Sequence, residues 1–397
     1  MKGVILDARK EPRSGYQLSE FERTTGKAVT GSSVWRHPKM KVESVPEPGI
    51  GPDEVLIKVK YCGVCGSDVH FYETDKDGYM LYPGLTKFPT ITGHEFAGEV
   101  VDVGNNVKDV KRGTYVTVEE MIWCGHCVPC RNGFPNHCTN LEEIGFTING
   151  AFANYIAAGA KYCWPVDAIL ECYSDFEQAM QAAAWCEPTS VAYNAMFPRA
   201  GGFAPGAYVV VFGAGPIGLA CIALAQAAGA SKILAFEVSD VRRKLAEKMG
   251  AQYVFNPLDF LSAQAGNKNG HSVRSTILEV TKGEGADMLI EAAGVMSHTI
   301  PEMEASLAIN GKIVIIGRAA AKVPMYLENL QVRRSQVFGS QGHSGDAIFP
   351  SVIRLMASGR IDMTKAVTSV RNLEETPDAV ANLSKNRADG KIMIKVS

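Results

Sequence analysis

The chain has almost no charge of one sign to spare: 40 lysines and arginines stand against 42 aspartates and glutamates, a formal net charge of -2. Nucleic-acid binding leans on a basic excess that releases counterions, so this balance argues against such a partner and for small-molecule chemistry. An apolar N-terminal core is also missing, because MKGVILDARKEPR turns charged after six residues. The expectation is a protein without a signal peptide, located in the cytoplasm. There is no internal repeat and no low-complexity tract. The one uncharged run long enough to cross a bilayer, the 23 residues from Tyr208 to Ala230, is interrupted by Gly213, Gly215, Pro216 and Gly218. Those residues fall where a buried strand would turn into a buried helix, so no membrane span is expected.

What is present fits a globular protein. A length of 397 residues predicts two domains, and 46% hydrophobic with 21% charged residues is an ordinary soluble composition. Ten cysteines in a reducing compartment point to metal binding or core packing rather than disulfides. From Glu54 to Val59 the apolar residues alternate, and Val100 to Val116 is valine-rich with turn formers between, the pattern of short antiparallel strands. Beyond about residue 195, YVVVFG, KILAFEV, QYVFN, ADMLIEAAG and GKIVIIG alternate with helical stretches, which predicts a parallel sheet with crossover helices. A last strand is expected near Gln336 to Gly339, and a helical piece from Phe349 to Ser358. Residues 9–41 follow neither period and read as an insertion or arm, either a solvated loop or an oligomer contact.

GAGPIG, carrying Gly213, Gly215 and Gly218, follows an apolar strand and opens a helix. In that context the first glycine permits the tight turn, the second admits a pyrophosphate to the backbone, and the third lets helix and strand pack closely. Pro216 and Ile217 lie in the same turn. Glu237, nineteen residues after Gly218, is placed to accept hydrogen bonds from ribose hydroxyls and to repel a 2′-phosphate, favouring NAD over NADP. Arg242 and Arg243 follow closely and offset that preference in part.

Two groups have metal-ligand character. In WCGHCVPCRNGFPNHC, the thiolates of Cys124, Cys127, Cys130 and Cys138 would fill all four tetrahedral positions of a zinc ion and leave no place for substrate. A zinc ribbon is the rival reading, weakened by the absence of a second separated knuckle and of a basic surface. His126 and His137, inside the same loop, read as surface residues. Cys65, His94 and Glu95 instead offer sulfur, imidazole and carboxylate, a mixed set that leaves room for water or substrate.

GHEFAGEVVDVGNNV, from Gly93 to Val107, resembles the zinc signature of the medium-chain alcohol and polyol dehydrogenases, with His94, Glu95, Gly98 and Gly104 in register. The resemblance extends over most of the chain. It implies an α/β fold class: a GroES-like, β-rich catalytic domain over 1–190 and 337–397, and a Rossmann doubly wound parallel-sheet NAD-binding domain over 191–336. It implies two zinc ions per chain, a catalytic one on Cys65, His94 and Glu95 with Glu187 as a direct or water-mediated fourth partner, and a structural one on the four cysteines. Ser67 and His70 fall where the family has a proton relay through the ribose hydroxyl, and Asp68 where it orients His94.

Glu120 occupies a position at which the alcohol dehydrogenases place an aromatic pocket residue, and with Gln341 and His343 it suits a substrate bearing several hydroxyls. The longer segments are most similar to the family's cyclitol-oxidising branch. The resemblance thus implies NAD-linked oxidation of a secondary hydroxyl on an inosose-like cyclitol or other polyol to a ketone, by a homo-oligomer, dimer or tetramer. Sorbitol-type linear polyols and L-threonine are the alternative substrates. The alternative from another class is a zinc-stabilised, dinucleotide-binding sensor; against it, Cys65, Ser67, His94, Glu95 and Glu187 are all present.

Overall fold

A computed structural model describes residues 1–262, 272–318, 322–387 and 389–397. The chain divides into two compact units, one of Met1–Glu187, His343–Ser358 and Val367–Ser397, the other of Pro188–Gly342 and Gly359–Ala366.

The first unit is built on a seven-stranded sheet. Glu54–Gly63 lies at its centre, flanked by Glu95–Val103 and by Lys391–Lys395, with Tyr155–Gly159 also pairing to it. Most of these pairings are antiparallel, as the alternating valines predict, and Val55, Ile57 and Val59 turn into a core with Phe96, Val100, Val116 and Ile394. A separate three-stranded antiparallel sheet sets Lys2–Lys10 between Trp35–Ser44 and the short strand Thr90–Ile91. Thr90–Ile91 ends three residues before His94, so this small sheet steers the chain into the metal-binding sequence.

Residues 9–41 are not a solvated loop. They form the helix Glu20–Thr25, a short turn of helix at Gly31–Val34, and most of the strand Trp35–Ser44. Ser19 and Glu22 close a reciprocal capping box, and buried Glu22 also accepts from Tyr16 Oη at 2.9 Å and Val29 N at 3.0 Å. Neither period shows in the sequence because the helix is only six residues long and the strand carries charged residues on its exposed face.

The second unit is a six-stranded, all-parallel sheet. Its strands run Tyr253–Phe255, Lys232–Phe236, Tyr208–Phe212, Ala286–Glu291, Leu307–Ile315, Gln336–Gly339 across the sheet, the doubly wound 3-2-1-4-5-6 order. The order reverses at Tyr208–Phe212, where such sheets bind ligands beyond the carboxyl ends of their strands. The uncharged run from Tyr208 resolves into that strand and the helix Pro216–Ala227, and among the described residues no helix is long and apolar enough to cross a membrane. Because Gln336–Gly339 pairs with Leu307–Ile315, residues 337–339 belong to this sheet rather than to the catalytic domain expected from residue 337 onward. Residues 359–366 return to the second unit as well, through contacts of the turn Met363–Ala366 with the helix Pro216–Ala227.

Candidate metal and nucleotide sites

The helix Gly66–Tyr72 begins directly after Cys65, whose backbone N donates to Asp68 Oδ2 at 2.9 Å. On the other side, Glu95 opens the strand Glu95–Val103 with His94 immediately before it. Helix start and strand start together bring Cys65, His94 and Glu95 into one group whose ligand atoms lie within 4.8 Å of one another. His94 and Glu95 are buried. Burial alone would depress the His94 imidazole, but the Cys65 sulfur, Asp68 and Glu187 raise it well above its ordinary value. This is an electron-rich pocket that favours a cation. His94 Nδ1, Asp68 Oδ1 and Ser67 Oγ are buried without hydrogen-bond partners. Asp68, expected to orient His94, gives its other oxygen to Cys65 N. The donor chemistry and the orphaned polar atoms both fit a zinc ion.

Glu95 has a second partner absent from the sequence reading. Lys391, 1% exposed, points Nζ at Glu95 Oε2 and at Val64 O, 3.1 Å away, with its ammonium over the Trp185 ring. A Cβ on Gly63 would stand 2.4 Å from Glu95 Oε2 and 2.6 Å from Lys391 Cε, so only glycine leaves the pair its space. Breaking a buried pair of this kind strands a charge and costs about 3–5 kcal/mol. Lysine in the strand KIMIK has no signal that separates it from a solvent-facing residue, and its partner is 296 residues away.

Glu120, Glu187 and His343 form a second buried group within 4.8 Å. His343 Nε2 lies 2.7 Å from Glu187 Oε1 and 3.5 Å from Glu120 Oε2. Burial works against the His343 cation, but the Glu187 hydrogen bond and the charges of Glu187, Glu120 and Glu119 raise its pKa. Burial pushes the Glu120 carboxyl up to about 8, with Glu143 and Glu187 adding to it against His343 and His94. Glu187 thus stands with Glu120 and His343, while its charge still acts on His94. Glu119, next to Glu120 in sequence, accepts from Trp164 Nε1 at 2.9 Å and from Ser344 Oγ at 3.0 Å. It thereby ties the His343 turn to the end of the strand Tyr115–Val118. Gln341 is exposed and falls in the second unit. Ser67 and His70, three apart on one helix, share a face, and His70 Nδ1 is 3.1 Å from Glu73 Oε2.

Cys124, Cys127, Cys130 and Cys138 converge within 4.8 Å, and Cys127 Sγ and Cys138 Sγ are 3.8 Å apart. Four sulfurs bound tetrahedrally at about 2.3 Å from zinc stand roughly 3.8 Å from one another. Cys138 Sγ accepts from the N–H groups of Cys124 and Asn140, both at 3.3 Å, the environment of a thiolate ligand. His126 and His137 are exposed.

In the second unit, Gly213 has φ 90° and a Cβ there would lie 2.9 Å from Ala293 Cα; one on Gly218 would lie 1.9 Å from Gly213 O. Gly215 caps the helix Pro216–Ala227, with Pro216 and Ile217 in its first turn. Around Gly215 the nearest atom to such a Cβ is Arg242 Nη1 at 3.7 Å, so this part of the turn is open for a phosphate. Glu237 follows the strand Lys232–Phe236, and its two oxygens accept from Ala214 N and Ser239 N, each at 2.8 Å. Arg243 is turned away, donating to Glu237 O at 2.9 Å and Val238 O at 2.8 Å. Glu291, buried at the end of Ala286–Glu291, accepts from Gly294 N at 3.0 Å and closes the adjacent loop; the sequence reading passed over it.

Residues 51–168 match the alcohol dehydrogenase GroES-like domain, and residues 216–358 the zinc-binding dehydrogenase domain. The chain is 45% identical over 403 residues to scyllo-inosose 3-dehydrogenase of Thermotoga maritima, with 99% of each covered. A solved structure from Thermotoga maritima matches with a TM-score of 0.92 at 44% identity over 99% of both chains. One from Sinorhizobium meliloti 1021, bound to NADP, matches with a TM-score of 0.77 at 28% identity, covering 93% of this chain and 98% of that one.

Proposed function

The chain belongs to the zinc-binding alcohol dehydrogenase family of oxidoreductases, with its GroES-like and Rossmann folds, and from that membership we propose that it oxidises a secondary hydroxyl of an inosose-like cyclitol to a ketone. The observation that carries this reading is the convergence of Cys65, His94 and Glu95 while buried Glu120, Glu187 and His343 form a second polar group in the same unit. Zinc in the first group would supply Lewis acidity toward a hydroxyl, and NAD would supply the hydride acceptor.

The chain's own residues do the rest. Cys65, His94 and Glu95, with Glu187 at hand, hold the metal. Ser67 Oγ, lacking a partner, would accept the hydroxyl proton while giving up its own toward His70, which, on the same helix face and braced by Glu73, would release a proton to solvent. Glu120 and His343 hydrogen-bond a neighbouring hydroxyl. A site that buries such groups rejects alcohols unable to satisfy them. The four cysteines hold a structural zinc, which leaves no coordination place for substrate.

Gly213, Gly215, Pro216, Ile217 and Gly218 cradle the pyrophosphate, and Glu237 selects NAD by repelling a 2′-phosphate. Arg243 is committed to backbone oxygens, which leaves Arg242 as the one arginine of the pair beside the Gly215 turn. Reduced thiolates for zinc suit a cytoplasmic location. The edge strand Gln336–Gly339, with exposed Val337 and nearby Val332, supports a homo-oligomer, and light scattering on the purified protein tests that.

The decisive experiment is a substrate panel followed by NADH absorbance, comparing scyllo-inosose, myo-inositol, sorbitol, L-threonine and ethanol. Turnover of the cyclitols above the others is expected. Activity on ethanol with none on any polyol would overturn the assignment.

A further inference from the structure

We propose that residues 11–34 form a positioning arm for the metal site, and that Phe146 is the residue through which this arm holds the imidazole of His94. The inference rests on the reading that His94 is a zinc ligand. It starts from a departure in the site itself. A metal-bound histidine almost always fixes its ring by donating the other ring N–H to a carboxylate or carbonyl. Here His94 Nδ1 is buried and has no hydrogen-bond partner, and nearby Asp68 accepts from Cys65 N. Packing then also holds the plane of the imidazole. The ring that packs on it is Phe146, 4% exposed, with centroids 4.6 Å apart.

Phe146 is held in turn by Phe71 and Tyr82, at centroid distances of 5.2 and 5.5 Å. Edge-to-face and tilted contacts of this kind orient rings more firmly than area burial alone. This cluster is where the arm docks, since Ala28, Val34 and Trp35 belong to the same core. The arm also grips both loops that carry the rings. Ala28 and Thr86 exchange backbone hydrogen bonds of 2.7 and 3.0 Å, and Gly31 N donates to Gly84 O at 3.0 Å. Lys87 N, next along, donates to Phe146 O at 2.8 Å. A Cβ on Gly31 would stand 2.8 Å from Thr86 Oγ1 and 2.9 Å from Tyr82 O, so the approach is close. On the other side, the largely buried Lys27 ion-pairs with Glu142 at 2.5 Å and donates to Leu141 O at 3.2 Å, clamping the strand that leads into Phe146. The family's domain match begins at residue 51, after the arm.

The test uses full-length enzyme loaded with cobalt(II), whose thiolate and d–d absorption bands report ligand geometry, and compares release of the metal to a chelator. Phe146→Leu removes the ring but keeps apolar volume; it should shift the band of the Cys65–His94 site and speed release there by about tenfold, the range for groups that orient ligands. Lys27→Met should act in the same direction by about threefold, one surface-to-buried ion pair being weaker than a lost ring. Phe146→Tyr should restore the parent values. Release from the four cysteines serves as the internal control and should not change. Parental spectra and release in both Phe146→Leu and Lys27→Met would overturn this proposal alone, as would parallel acceleration at both metal sites in step with a falling melting temperature. Parent enzyme that takes up metal only at the four cysteines would overturn the zinc reading of His94, and the arm proposal with it.

Discussion

The two clusters of metal-binding character differ in what surrounds them. The four-cysteine lobe is shallow: three of its cysteines are half-exposed, its histidines face solvent, and its sulfurs accept backbone N–H groups of the same loop. In the Cys65–His94–Glu95 group the imidazole and carboxylate are buried, and His94 Nδ1, Asp68 Oδ1 and Ser67 Oγ are left without partners. A group that has satisfied itself has finished its task when it has folded. One that leaves buried donors and acceptors open at a cost of about 1–3 kcal/mol apiece is built to be completed by something else. The difference teaches that coordination number alone does not mark a reaction centre; unspent hydrogen-bonding capacity does.

The sharpest way to break that contrast is to remove one sulfur from each side. Cys65→Ser should lose one of two zincs by elemental analysis and reduce turnover by about a thousandfold or more, with NAD binding intact by fluorescence titration. Retained turnover would dissolve the distinction. On the pocket side, Glu120→Gln should lower kcat/KM for a cyclitol by roughly tenfold to a hundredfold with a smaller effect on a simple secondary alcohol, because only the polyol uses the buried carboxyl. Cys127→Ser, the counterpart in the lobe, should reduce the melting temperature by roughly 5–10 °C and change kcat per folded molecule by less than about threefold. In the nucleotide turn the effect expected is on cofactor choice alone. Glu237→Ser should narrow the preference for NAD over NADP by about tenfold, measured as a ratio of kcat/KM values.

How much of this was legible beforehand depends on distance along the chain. GAGPIG lies between an apolar strand and a helix, and Gly213 and Gly218 stand where the tight turn and the close packing of helix on strand leave no room for a side chain, both matters of local backbone geometry. The four cysteines lie within fifteen residues and converge. By contrast Lys27 with Glu142, Lys391 with Glu95, and Glu119 with Ser344 are pairings across more than a hundred residues. In sequence each is an ordinary charged or polar side chain, and only the fold brings the partners together. The packing of the arm did not show because two of its buried residues, Glu22 and Lys27, have the chemistry of a surface. The boundary drawn at residue 337 missed by a few positions because the four-residue edge strand, half exposed, carries too little apolar pattern to show which sheet it joins.

The lysine beneath Glu95 has one more implication. With Lys391 sharing its carboxylate, Glu95 arrives at the site as half of a neutral couple, and the formal negative charge brought by Cys65 and Glu95 together drops from two to one. A cation held there, as proposed, would keep more of its pull on electrons, so an ammonium buried behind Glu95 would set how strong an acid the centre can be.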